Sequence, residues 1–158
     1  MQTKRTAVAI TCLLLLASLL TGCKPKSEAQ ALPTIRFLSD DSEASKKNAQ
    51  GLQEILRTNL RIELVLENVD FATRLQKMRD EDFDLVFSGW GADYNDPMSF
   101  LELWITGGPY NDVGYSNSEY DRLIALAKSS PDHQERIDAM AQAEKILLDE
   151  APIIPIYW

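Results

Sequence analysis

The sequence predicts an α/β chain in which a βαβαβ parallel-sheet segment is followed by helices and a terminal strand. Three observations carry this expectation. Segments of strand periodicity at Thr34–Leu38, Leu60–Leu66 and Phe83–Ser88 alternate with stretches of helical periodicity. Helical connections of this length join parallel strands by right-handed crossovers. The second half of the chain then carries two longer helical patterns before an apolar end, Ile153 to Trp158.

The amino terminus is set aside before any fold is read. Lys4 and Arg5 form a charged start, and Ala7 to Leu20 is an apolar run of about fourteen residues, where spanning a bilayer takes roughly twenty. Residues 1–22 therefore read as a signal peptide. Its end, Leu20-Thr21-Gly22-Cys23, resembles the lipobox of bacterial lipoproteins, in which the chain is cut before a cysteine that then receives acyl chains. That resemblance implies lipidation at Cys23 and a firm membrane anchor, each buried methylene contributing about 0.8 kcal/mol. Residues 23–33 (CKPKSEAQALP) are polar, hold two prolines and lack periodicity, as a lipidated tether does.

Cysteine usage is then simple. Cys12 lies in the segment to be removed and Cys23 is the acylation site, which leaves no thiol for a disulfide or a metal. The net charge is −8, and without Lys4 and Arg5 the chain keeps 14 basic against 24 acidic residues, a net −10. Such a balance argues against a nucleic-acid partner and mildly favours cationic ligands.

Residues 34–158 carry the fold. Thr34–Leu38 alternates as a strand. Asp40 to Ser45 supplies helix-start residues, and Ala49, Leu52, Ile55 and Leu56 line one face of the helix that follows. Leu60–Leu66 alternates strictly, Phe71, Leu75 and Met78 form the next helical stripe, and Phe83–Ser88 is the third strand. Pro97 fits the first turn of a short helix whose buried side is Met98, Leu101 and Trp104 or Ile105. Residues 106–116 are a glycine-rich loop. Ser116-Asn117-Ser118-Glu119 has the spacing of a capping box, in which Ser116 accepts first-turn amides and Glu119 reaches back. Ser130-Pro131-Asp132 opens the last helix, in which Ile137, Met140, Ala141, Ala143, Glu144 and Leu147 or Leu148 alternate between buried and wet faces, until Pro152 stops it. Pro155 marks the final strand as an edge or a bulge.

The functional signal lies in FDLVFSGWGADYNDP, Phe83 to Pro97. In an open parallel sheet, ligands bind beyond the carboxyl ends of the strands, and Gly89 to Asp96 falls there. Trp90 offers a flat apolar surface and Asp93 a negative charge, a pairing suited to a small cationic partner with an apolar body. Each has a plainer alternative: Trp90 as core packing, Asp93 as a solvated or capping loop residue. Asp96 precedes a proline at a helix start and Glu102 lies within the short helix, so both read as structural carboxylates and not as an acid–base pair. His133 is the sole histidine, and without a second ligand or a nucleophile it builds neither a zinc site nor a triad. No cofactor motif is present, and the chain does not read as an enzyme.

The run GWGADYNDP followed by Phe100 and Leu101, together with Gly114-Tyr115-Ser116-Asn117, resembles the C-terminal part of the family 5 extracellular solute-binding proteins of oligopeptide ABC importers. The resemblance spans about Ile35 to Trp158. It implies part of a periplasmic-binding-protein type II lobe, incomplete relative to the family. It further implies that Asp93 pairs with the α-ammonium of a peptide. Gly89, Trp90, Gly91 and Ala92 would offer main chain to the peptide as a strand does, with affinity from backbone rather than side-chain identity. The expected function is peptide capture on the extracytoplasmic face of the membrane for a permease partner. The alternative is a non-transporting lipoprotein, a remnant or a protein-interaction module.

Overall fold

The computed structural model describes residues 34–157. The expected signal peptide, residues 1–22, and the lipidated tether from Cys23 to residue 33 lie outside these residues.

Three parallel strands form the sheet: β1 (Ile35–Asp40), β2 (Leu64–Val69) and β3 (Leu85–Val86), in the order β2-β1-β3. Ile35 stands opposite Leu64 and Asp40 opposite Val69, while Phe37 and Leu38 pair with Leu85 and Val86. A central parallel strand is covered on both faces, and Phe37, Leu38 and Ser39 are accordingly all buried. Helix α1 (Glu43–Leu60) links β1 to β2, and α2 (Phe71–Arg79) carries the chain back across β1 to β3. With right-handed crossovers, this order sends the two helices to opposite faces. The side chains agree. Phe37 and Leu64 cluster with Ala49, Leu52 and Leu56 of α1, whereas Asp40, of the other parity, meets Arg74 of α2.

The remaining elements form a helical layer with its own core. Helix α3 (Met98–Leu101) tightens into a 3₁₀ turn (Glu102–Trp104), followed by α4 (Ser118–Ser129) and α5 (His133–Glu150). Met98, Leu101, Tyr120, Leu123, Ile124, Met140 and Leu147 are buried together. Ala127, Ala139 and Ala143 complete the seam, and such small side chains let α4 and α5 pack closely. The buried Tyr120 hydroxyl donates to the carbonyl of Leu101 at 2.5 Å, tying α4 to α3.

Several expectations are corrected. The first strand runs on to Asp40. The second begins at Leu64 rather than Leu60, because α1 continues to Leu60 and is closed by Arg61 in the left-handed region (φ 58°). The third is confined to Leu85–Val86. On the expected helical stripes, Ile55, Phe71 and Ile137 are exposed. The cap of α4 is Asn117, whose side chain accepts from the amides of Glu119 and Tyr120; Glu119 pairs with Arg122 instead of reaching back. Asp132 caps α5 as its position suggests.

The terminal strand does not form over Ile153–Tyr157. Pro152 and Pro155 lack the amide donors a ladder needs, and the segment is attached by side chains instead. Ile153 packs on the helical core, and the Tyr157 ring lies 6.4 Å from that of Phe87.

Candidate functional site

Residues 88–92 leave the carboxyl end of β3 as bare main chain. The amide of Phe87 still donates to Leu38 at 2.8 Å, and beyond it no hydrogen bond links the backbone of Ser88, Gly89, Trp90, Gly91 or Ala92 to another described residue. All five are exposed. Neither Gly89 nor Gly91 has a left-handed φ, and a Cβ at either would meet nothing within 4 Å. The fold therefore does not require glycine at these positions.

Anchoring begins at Asp93. Its amide donates to Oγ of Ser99 at 2.9 Å, and Ser99 is buried at the start of the helical layer. Next, Asp96 Oδ1 accepts from the amide of Met98 at 2.9 Å and from Nη2 of Arg136, on α5, at 2.7 Å. Arg136 and the Met98 amide hold the Asp96 carboxyl below the ordinary aspartate range. The Tyr94 hydroxyl donates to Oε1 of Glu102 at 2.7 Å, while Nζ of Lys128 binds Oε2 at 2.8 Å. Lys128 and Tyr94 keep Glu102 ionised, and the bond to Glu102 pushes the Tyr94 phenol up to about 12. Asp96 and Glu102 are thus neutralised by basic partners, as their structural reading expects. Asp93 differs. Its carboxylate is exposed and has no hydrogen bond or ion pair with any described residue.

Trp90 is not core packing. The residue is 36% exposed, and its ring lies 4.8 Å from that of Tyr110, tilted by 59°. Tyr110 comes from the glycine-rich loop, which Asn111 organises. The Asn111 side-chain amide donates to the carbonyls of Ile105 and Tyr115 and its oxygen accepts from the Tyr115 amide. Nothing in the sequence singled out Tyr110 or Ser99. Both are supplied by contacts that close only in the fold. Ala92, the last of the expected rail residues, borders an apolar groove of about 500 Å³ between the loop and α5, lined also by Tyr94, Pro97, Phe100, Ile137 and Met140. His133 is exposed in the first turn of α5, and Cys23 lies outside the described residues.

The arrangement offers one unpaired anion, an exposed aromatic pair and a stretch of unpaired backbone at the carboxyl edge of a parallel sheet. Several named proteins are similar to this chain in sequence. The chain is 34% identical over 133 residues to the oligopeptide-binding protein OppA of Bacillus subtilis, covering 84% of this chain and 24% of that protein. It is 38% identical over 127 residues to the dipeptide-binding protein DppE of the same organism, covering 80% and 23%. The solved structure of Haemophilus influenzae OppA in complex with RPPGFSPFR superposes with a TM-score of 0.75 at 30% identity, over 78% of this chain and 24% of that one. The chain thus spans about a quarter of the length of the relatives it matches. Residues 18–112 match the model of the bacterial extracellular solute-binding proteins, family 5 Middle, and the chain belongs to this family.

Proposed function

We propose that the chain captures oligopeptides outside the cytoplasmic membrane as the substrate-binding component of a peptide ABC importer. Asp93 is the anchor for the peptide α-ammonium and residues 89–92 are the rail along which the peptide main chain pairs. The observation that carries this reading is the unpaired, exposed Asp93 carboxylate at the end of a backbone stretch with no hydrogen bonds of its own. A charge-assisted bond between carboxylate and ammonium contributes roughly 1.5–3 kcal/mol when water is excluded. Backbone pairing adds affinity without demanding particular peptide side chains.

The sequence supports the further proposal that residues 1–22 direct export and that Cys23 carries the lipid that holds the protein at the membrane beside its permease. The competing reading is a lipoprotein that contacts other proteins and captures no peptide alone. It is favoured by the exposed side chains of Ile154, Ile156 and Tyr157.

Calorimetric titration of the full chain in detergent with a mixture of tripeptides, beside Asp93→Ala, separates the two. Uptake by the parent and its loss in Asp93→Ala supports capture. Absence of uptake at about millimolar peptide, in a chain whose thermal melt is cooperative, overturns it.

A further inference from the structure

We infer that Ser99 is a positioning residue for the Asp93 anion: its buried hydroxyl oxygen fixes the backbone of Asp93 so that the carboxylate meets the peptide ammonium without reorganisation. The inference rests on the ammonium reading above. Its motivating geometry is the 2.9 Å bond from the Asp93 amide to Ser99 Oγ.

The two ends of that bond have unequal needs. Asp93 is exposed, so water can satisfy its amide if the bond breaks. Ser99 is 1% exposed, and the Asp93 amide is the donor its oxygen receives among the described residues. A buried acceptor without a donor is unfavourable, so the demand of the core, not of the loop, keeps the bond closed. The helical layer thereby dictates where Asp93 sits.

The neighbouring anchors sharpen this. Asp96 is clamped by Met98 and Arg136, and Tyr94 by Glu102, whereas residues 88–92 have no hydrogen bonds to the rest of the described chain. Asp93 is therefore the first fixed backbone position after an open stretch, and Ser99 is what fixes it. An anion whose ordering is already complete before the ligand arrives loses less freedom on binding.

The test measures binding of lysine-free tripeptides and of their Nα-acetylated counterparts to the full chain, to Asp93→Asn and to Ser99→Ala. Ser99→Ala is expected to weaken the free-amine peptides about five- to tenfold, the worth of one hydrogen bond, and to leave the acetylated ones unchanged. Should Ser99→Ala not melt cooperatively, Ser99→Cys, similar in size but a poor acceptor, is measured in its place. If Asp93→Asn abolishes the preference for a free amine while the Ser99 variant weakens both peptide sets alike, or neither, Ser99 is a fold residue only and the positioning role is overturned. If the parent binds neither set, shows no preference, or keeps its preference in Asp93→Asn, the ammonium reading itself fails and this inference with it.

Discussion

Arg74, on α2, donates from Nη1 to the carbonyl of Phe87 at 3.1 Å, at the point where β3 gives way to the loop that carries Gly89 and Gly91. The same nitrogen lies 3.4 Å from Oδ2 of Asp40, at the end of β1. One buried guanidinium thus joins the carboxyl ends of two neighbouring strands, and the exposed Phe71 ring, 5.0 Å from its Cζ, stands over it. Arg74→Met keeps most of the stem but leaves Phe87 and Asp40 without this donor. It is expected to destabilise the fold by about 2–3 kcal/mol, read as a lower urea midpoint at unchanged slope.

Acid should weaken the sheet through Asp82. This carboxylate accepts from Lys77 at 2.6 Å and from Arg36 at 2.5 Å, linking α2 to β1 just ahead of β3. Lys77 first and Arg36 second lower its pKa from 3.8 to about 2. A carboxyl whose pKa is depressed by folding stabilises the native state above its unfolded value and loses that contribution as pH falls through the folded one. The stability difference between the parent and Asp82→Asn is therefore expected in full at about pH 6 and to vanish between about pH 4 and pH 2, measured by urea titration across that range.

Much of this architecture is legible in the residue pattern, and what is not has identifiable causes. Phe37 and Leu64 announce strands because each is a buried apolar residue beside an exposed neighbour, Arg36 and Val65, so the period of two is visible. The start of β2 is misplaced because Leu60 and Ile62 suit a strand's period, while Leu60 also continues the helical spacing of Leu52 and Leu56. The left-handed turn at Arg61 decides between them, and no residue type there signals it. Ile153–Tyr157 has the composition of a strand, but composition cannot supply a neighbouring edge to pair with. At the site, Asp93 and Trp90 are visible because loop chemistry clusters in sequence. Ser99, Tyr110 and Arg74 are not, since each matters through a partner brought near only by tertiary contact.

Helix α5 ends on a strained residue. Ala151 adopts the left-handed conformation (φ 50°, ψ 43°) while its amide closes the helix onto Leu147 at 3.0 Å. Glycine takes this conformation without the Cβ clash and is the usual residue there. Ala151→Gly is expected to stabilise the chain by about 0.5–1 kcal/mol, seen as a higher melting temperature. A fall instead would mean that the added freedom of the unfolded chain outweighs the relieved strain.

The glycines of the rail make the opposite case, because here the fold tolerates what the ligand should not. Gly89 and Gly91 have ordinary φ values and open space where a Cβ would stand, so a Cβ at either position meets nothing within 4 Å. The paired change Gly89→Val and Gly91→Val is therefore expected to alter stability by no more than about 0.5 kcal/mol, the range of unremarkable surface substitutions. A peptide lying along this backbone would meet two branched side chains in place of bare main chain, and the amides it pairs with would be shielded. Tripeptide uptake is expected to fall at least about tenfold while the melting temperature stays put, because losing even one or two backbone hydrogen bonds is worth that much. Unchanged uptake in a stable double variant would place the peptide elsewhere on the protein, and the rail would be no more than a loop.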